Sequence, residues 1–87
     1  MQAFHFPYHT IALLGGTGSL GQALTRYLLK TYPDIRIRVL SRSEHRQAAM
    51  RAQYPDERRL SFLLGDVRDF QRLRIALKGI DLVIHAA

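Results

Sequence analysis

The chain has 87 residues, 47% of them apolar and 23% charged, with no cysteine and a formal charge of +6. That length allows one small domain, which buries about 60–65% of the surface its unfolded chain exposes, and the composition excludes intrinsic disorder. The missing thiols exclude a disulfide framework and a thiolate metal site, and they fit a reducing compartment.

The opening residues, MQAFHFPYHT, have no basic start, and Pro7 interrupts their apolar side chains, so they do not read as a secretory signal. Residues 1–9 are expected to form an N-terminal extension. No window reaches the ~20 apolar residues of a membrane helix, and the chain reads as soluble and cytoplasmic. Thr10 to Leu14 (TIALL) is a continuous apolar run stopped by glycine, as in a strand buried on both faces. The next segment, SLGQALTRYLLKTY, sets Leu20, Leu24, Tyr27, Leu28 and Thr31 along one helical stripe. Ser19 stands at its start with Gln22 three residues on, the spacing of a capping box, and Pro33 and Asp34 end it.

Ile35 to Leu40 (IRIRVL) reads as a second strand. SRSEHRQAAMRAQY is a weaker helix carrying Ala48, Ala49, Met50 and Ala52, broken by Pro55 and Asp56. Leu60 to Asp66 (LSFLLGD) is a third strand entering a turn. DFQRLRIALKG places Phe70, Leu73, Ala76 and Leu77 at helical spacing, and IDLVIHAA is a fourth strand. The order βαβαβαβ specifies an α/β fold, with parallel strands and helices packed on both faces in three layers. Right-handed crossovers then give the strand order 3-2-1-4.

Four of the seven residues from Gly15 to Gly21 are glycine, at the turn from the first strand into the first helix. In a dinucleotide-binding βαβ unit one glycine makes this turn, a second lets the pyrophosphate reach the backbone, and a third lets helix and strand pack. The free N–H groups and partial positive charge of the helix start then face the phosphates. Here Gly15-x-x-Gly18-x-x-Gly21 follows a strand and opens a helix, the context the motif requires. Packing alone accounts for Gly21 but not for four glycines together. The hydroxyls of Thr17 and Ser19 lie near the same turn, and Ser19 serves either a phosphate or the cap.

The end of the second strand discriminates between coenzymes. An acid there binds a ribose 2′-hydroxyl, as in NAD sites, whereas arginine accommodates a 2′-phosphate. No acid occupies Ser41, Arg42 or Ser43, and Glu44 comes late. Arg42 suits a bidentate phosphate contact, and Arg46 falls one helical turn later. The expectation is NADP, with NAD as the alternative; the competing reading is a solvated arginine pair. Asp66 follows the third strand and either accepts from an adenine amino group, with Val67 as an apolar wall, or caps the next helix, a role for which Asp69 is the stronger candidate. His85, at the end of the fourth strand, suits a buried hydrogen-bonded role better than a catalytic one, and no histidines share metal-ligand spacing.

LLGGTGSLGQAL, LSRSEHRQAAM, RRLSFLLGDVRD and GIDLVIHAA together resemble the extended short-chain dehydrogenase/reductase family. Within it they resemble most the UDP-N-acetylglucosamine 4,6-dehydratase group of polysaccharide biosynthesis. The resemblance covers nearly the whole chain from Ile11 onward. It implies a Rossmann domain, NADP held and recycled, and a lyase reaction on a nucleotide-sugar. Hydride leaves C4, water is eliminated across C5 and C6, and hydride returns to C6. It assigns Gly15, Gly18 and Gly21 to the pyrophosphate, Arg42 and Arg46 to the 2′-phosphate, Asp66 and Val67 to adenine, and His85, Ala86 and Ala87 to the path toward the nicotinamide. With Thr17, Ser19, Leu20 and Ser41 these complete the expected cofactor-binding set.

Relatives often carry an acid where Ser43 stands. The resemblance also implies a catalytic tyrosine with a lysine four residues later, and no such pair is present: Tyr27 precedes Lys30 by three. Residues 10–87 therefore read as the N-terminal part of a truncated Rossmann domain with no catalytic residues, expected to be inactive alone and to meet a nucleotide-sugar only together with a C-terminal part. An uncovered fourth-strand edge is expected to drive self-association. A fragment of a related nucleotide-sugar epimerase or reductase, and a non-catalytic NADP-binding module, are the alternatives. Arginine supplies eleven of the thirteen basic side chains, but these are spread along the chain, which argues against a nucleic-acid interface.

Overall fold

The four apolar runs become four parallel strands. In a computed structural model that describes residues 7–86, these are β1 (Thr10–Leu14), β2 (Arg36–Ser41), β3 (Leu60–Leu64) and β4 (Leu82–His85). They form one sheet in the order β3-β2-β1-β4, as the alternation of elements implies. β1 pairs with β2 from Thr10↔Arg36 to Leu14↔Leu40 and with β4 from Ile11↔Leu82 to Leu14↔His85. β2 pairs with β3 from Ile37↔Leu60 to Ser41↔Leu64. The connecting helices are α1 (Ser19–Thr31), α2 (Glu44–Arg51) and α3 (Phe70–Ala76).

Each face of the sheet has its own core. Ile11, Leu13, Ile37 and Val39 pack with Leu28 and Leu29 of α1 and Met50 of α2. On the other face Leu14 and Leu40 pack with Leu73 and Ala76 of α3 and with Leu77, its C-cap. β1 and β2 are thus covered on both sides, which is why TIALL is apolar throughout; each fully buried leucine or isoleucine contributes about 1.5–3 kcal/mol. The edge strands β3 and β4 are only partly covered.

The helices bury part of their expected apolar stripes, Leu28 of α1, Met50 of α2 and Leu73, Ala76 and Leu77 at α3, and turn other members outward. α1 buries Gly21, Thr25, Leu28 and Leu29, while Leu20 and Tyr27 are 56% and 57% exposed. The cause is Gly21, whose missing side chain lets α1 settle against Gly16 and so rotates Leu20 and Tyr27 off the sheet. Gln22 then lines a small hollow with Arg46, Ala49, Met50 and Gln53 of the α2 segment. In α2 the buried residues are Gln47 and Met50, not Ala48, Ala49 or Ala52. Phe70 opens α3 at 79% exposure, outside the core expected of it.

The expected capping box is not formed. Gly18 is the N-cap of α1 without a side-chain bond, and Gln22 Nε2 instead donates to the Thr17 carbonyl at 2.8 Å. Ser43 caps α2 by accepting from the Arg46 amide, and Asp69 caps α3 by accepting from the Arg72 amide, each at 3.1 Å.

Three arginines tie elements together through backbone carbonyls. Arg59 donates to the carbonyls of Leu29, Tyr32 and Pro33 at 2.9–3.1 Å, closing the end of α1 from the start of β3. Its Nε donates to Glu57 at 2.9 Å, which holds that carboxyl below its ordinary range. Arg38 of β2 donates to the carbonyls of Ala76 and Lys78 at 2.7 and 2.9 Å. Arg72 donates to the carbonyl of Leu64 at 2.6 Å. Carbonyls at helix ends lack intrahelical partners, and a guanidinium supplies charged donors to them.

Candidate functional site

A cleft of about 980 Å³ opens at the carboxyl ends of the strands, where open parallel sheets bind ligands. The turn after β1 forms one side. Gly15 adopts φ 73°, in the left-handed region that L side chains rarely enter. Its amide donates to the Leu40 carbonyl at 2.8 Å, which fixes the turn to the end of β2.

The four glycines have separate causes. A Cβ on Gly21 would collide with the carbonyl and Cα of Gly16, and one on Gly16 would meet Val39 and Leu13 at 2.9–3.0 Å. These two glycines are packing requirements. Gly18 differs: its φ of −80° suits any residue, and the nearest protein atom to an added Cβ is the Gly15 carbonyl oxygen at 3.9 Å. Among the described residues no steric contact or backbone angle requires glycine there, and Gly18 lines the cleft. Among the described residues, the amides of Ser19, Leu20 and Gly21 have no backbone acceptor, as in the first turn of any helix.

The end of β2 supplies the opposite wall with Leu40, Ser41, Arg42, Ser43 and Arg46. Ser41 is buried, and its Oγ accepts from Gln47 Nε2 at 3.0 Å. Gln47 Nε2 also lies 2.8 Å from the Leu63 carbonyl, tying the ends of β2 and β3 together. Because Ser41 Oγ accepts from Gln47, its own proton is left for an acceptor elsewhere.

The turn after β3 adds Gly65, Asp66, Val67 and Arg68. Asp66 does not cap α3. Its Oδ1 accepts from the Arg68 amide at 2.9 Å and from Arg68 Nε at 3.1 Å, and its Oδ2 accepts from Arg68 Nη2 at 2.8 Å. Arg42 Nη1 stands 3.7 Å from Asp66 Oδ2. The Arg68 hydrogen bonds hold the Asp66 carboxyl down, to about 2. The stability from this pairing is therefore complete above the unfolded aspartate value of about 4 and lost as pH falls through about 2. Carboxyl-carbon NMR is expected to give Asp66 a titration midpoint near 2; a midpoint near 4 shows that the pairing does not form.

Gly15, Thr17, Gly18, Ser41, Arg42, Arg46, Asp66, Val67 and Ala86 thus line one cleft. Ser19 lines the adjoining hollow with Thr17, Gly18 and Arg46. Leu20 and His85 are exposed and line neither, Gly21 is buried against Gly16, and Ala87 lies outside the described residues. Sequence reasoning missed Leu40, Ser43, Gly65 and Arg68. For Arg68 a signal existed, the two-residue spacing from Asp66 within GDVRD. Among the described residues, no cluster of side chains suits a metal ion and no helix is long and apolar enough to cross a membrane.

Residues 11–87 match the family model described as polysaccharide biosynthesis protein. UDP-N-acetylglucosamine 4,6-dehydratase (inverting) of Campylobacter jejuni is 40% identical over 77 residues, covering 88% of this chain and 23% of the relative. UDP-glucose 4-epimerase of Rickettsia typhi is 42% identical over 81 residues, covering 90% of this chain and 24% of the relative. Among solved structures, Pen from Bacillus thuringiensis superposes with a TM-score of 0.87 at 33% identity, over 98% of this chain and 26% of that one. A short-chain dehydrogenase/reductase (wide type) from Veillonella parvula, in complex with NADP, gives 0.78 at 28% identity, over 92% of this chain and 36% of that one. The Bordetella bronchiseptica enzyme WbmG, in complex with NAD, gives 0.74 at 26% identity, over 92% of this chain and 25% of that one. The chain thus spans about a quarter of the length of the relatives it matches. Its sheet is of the Rossmann type, and it belongs to the polysaccharide biosynthesis protein family whose relatives include nucleotide-sugar dehydratases and epimerases.

Proposed function

We propose that this chain is the NADP-binding portion of a nucleotide-sugar dehydratase of the UDP-N-acetylglucosamine 4,6-dehydratase kind. The observation that carries this reading is Gly18: it is bare where the fold has no need of glycine, and it faces a cleft that also holds Arg42 and Arg46. A diphosphate fits a surface without a Cβ beside the free amides of a helix start. Arg42, 73% exposed and without a short carboxylate contact, suits a 2′-phosphate, and no acid stands at Ser41, Arg42 or Ser43 to take a ribose 2′-hydroxyl. Val67 and the Asp66 carboxylate suit the adenine face and amino group, and Ala86 lines the same cleft. When bound, the nicotinamide supplies hydride uptake and return.

No tyrosine in the chain is followed by a lysine four residues later, so nothing here holds or moves a proton at the sugar. We therefore expect no turnover of a UDP-sugar by the chain alone. The identity to an epimerase favours one alternative, a fragment of a nucleotide-sugar epimerase, which shares the same coenzyme cleft.

Calorimetric titration tests the reading. NADP is expected to bind about tenfold more tightly than NAD, the worth of one charge-assisted phosphate contact, and Arg42→Ala is expected to remove the difference. Equal or tighter binding of NAD overturns it. The edge of β4 has a second expected partner, another copy of this chain. Val83 on that strand is 43% exposed, an apolar side chain on a strand with one unpaired edge. Sedimentation is expected to show concentration-dependent association, and a monomer at high concentration argues against it.

A further inference from the structure

We infer that Arg68 is a positioning residue that sets the coenzyme preference of the cleft by occupying Asp66 and so leaving Arg42 to a phosphate. The inference rests on the NADP reading above and names a residue which that reading does not use.

The geometry is a competition between two guanidinium groups for one carboxylate. Arg68 holds both oxygens of Asp66: its amide and Nε reach Oδ1 at 2.9 and 3.1 Å, and its Nε and Nη2 reach Oδ2 at 3.2 and 2.8 Å. Arg42 Nη1 stands 3.7 Å from Oδ2, beyond hydrogen-bonding distance. A bidentate fork is the stronger arrangement, and Arg68 reaches it from two residues away on the same turn. Both arginines are largely exposed, at 73% and 78%, and both line the cleft. Asp66 is the only carboxylate among the lining residues. With Arg68 gone, the nearest cation to Asp66 is Arg42. The two then pair directly, and a 2′-phosphate must compete with a fixed carboxylate for that guanidinium. Asp66 meets the adenine of either coenzyme, so the change falls on the ratio of NADP to NAD affinity rather than on both affinities.

Calorimetry on the full chain with NADP and with NAD tests this in the wild type, Arg68→Gln, and the double variant Asp66→Asn/Arg68→Gln. Arg68→Gln is expected to weaken NADP roughly three- to fivefold, the scale of an exposed ion pair, and to leave NAD within about twofold. The double variant is expected to recover the wild-type ratio. A ratio unchanged in Arg68→Gln overturns the inference while the NADP reading stands. A ratio that falls and is not recovered also overturns it, because Arg68 then touches the phosphate itself. A wild type without NADP preference overturns the NADP reading and this inference together. Thermal melts accompany each titration; Arg68 is an exposed turn residue, and all variants are expected to melt within a few degrees of the wild type.

Discussion

Gly21→Ala is expected to leave the chain largely unfolded. Its new methyl group would occupy the space of the Gly16 carbonyl and Cα. Those are backbone atoms of the turn that Gly15 fixes to β2, so they cannot swing aside as a flexible side chain would. Relief requires α1 to lift from the sheet, which separates Leu28 and Leu29 from Ile11, Leu13 and Val39 in the larger core. Losing that contact costs roughly 4 kcal/mol or more, a large share of the stability of a small domain. For a chain of this size each kcal/mol moves the melting temperature by about 4–8 °C, so circular dichroism is expected to show a fall of more than about 15 °C or no cooperative transition. A melt within a few degrees of the wild type shows that helix and turn do not approach so closely.

The same contact explains what the sequence concealed. Strand positions and strand order are legible because apolar runs such as TIALL are bounded by turn residues and alternate with helices. The rotation of α1 is not legible in that way. Hydrophobicity favours Leu20, Leu24, Tyr27 and Leu28 as one stripe; Leu28 is buried and Leu24 packs partly buried against the core, but backbone proximity at Gly21 decides the rotation, bringing in Thr25 and Leu29 and leaving Leu20 and Tyr27 exposed. The result places a hydroxyl in the core: Thr25 Oγ1 is buried without a hydrogen-bond partner. A hydropathy pattern also counts Ala48 and Ala49 as core, whereas the residue that reaches inward from α2 beside Met50 is Gln47, because the ends of β2 and β3 offer it Ser41 Oγ and the Leu63 carbonyl.

The arginines show a similar limit. Their number invites a polyanion, yet the sequence cannot distinguish those that serve the fold from those that face the cleft. Arg38 reaches carbonyls 38 and 40 positions away, and Arg59 reaches those 26 to 30 positions away. Such partners exist only once β2 lies over α3 and β3 begins beneath the end of α1. With Arg38, Arg59 and Arg72 assigned to carbonyls, the cleft retains Arg42, Arg46 and Arg68. The cleft thus gathers three of the eleven arginines at one end of the sheet, while Arg26, Arg36, Arg51, Arg58 and Arg74 are exposed elsewhere.

Gly18→Ala is expected to do the reverse of Gly21→Ala: binding falls and the fold stays. The backbone there, φ −80° and ψ −179°, is open to alanine, and the added methyl meets only the Gly15 carbonyl oxygen at 3.9 Å, ordinary contact distance. The loss of glycine entropy from the unfolded chain favours the variant by about 0.4–1 kcal/mol, and alanine is a poorer N-cap than glycine by a similar amount. The melting temperature is therefore expected to move little. On the proposed reading, however, Gly18 lines the cleft where a diphosphate would approach the amides at the start of α1, and a methyl group there would obstruct it. Each charge-assisted hydrogen bond to such an anion is worth about 1.5–3 kcal/mol, so losing one weakens NADP and NAD alike, by roughly ten- to 150-fold. A parallel loss for both coenzymes separates this effect from that of Arg42, which bears on NADP alone. Were Gly18→Ala to bind either coenzyme at wild-type strength with its fold intact, the bare turn would have no ligand to explain it, and the coenzyme reading of the cleft would fall with it.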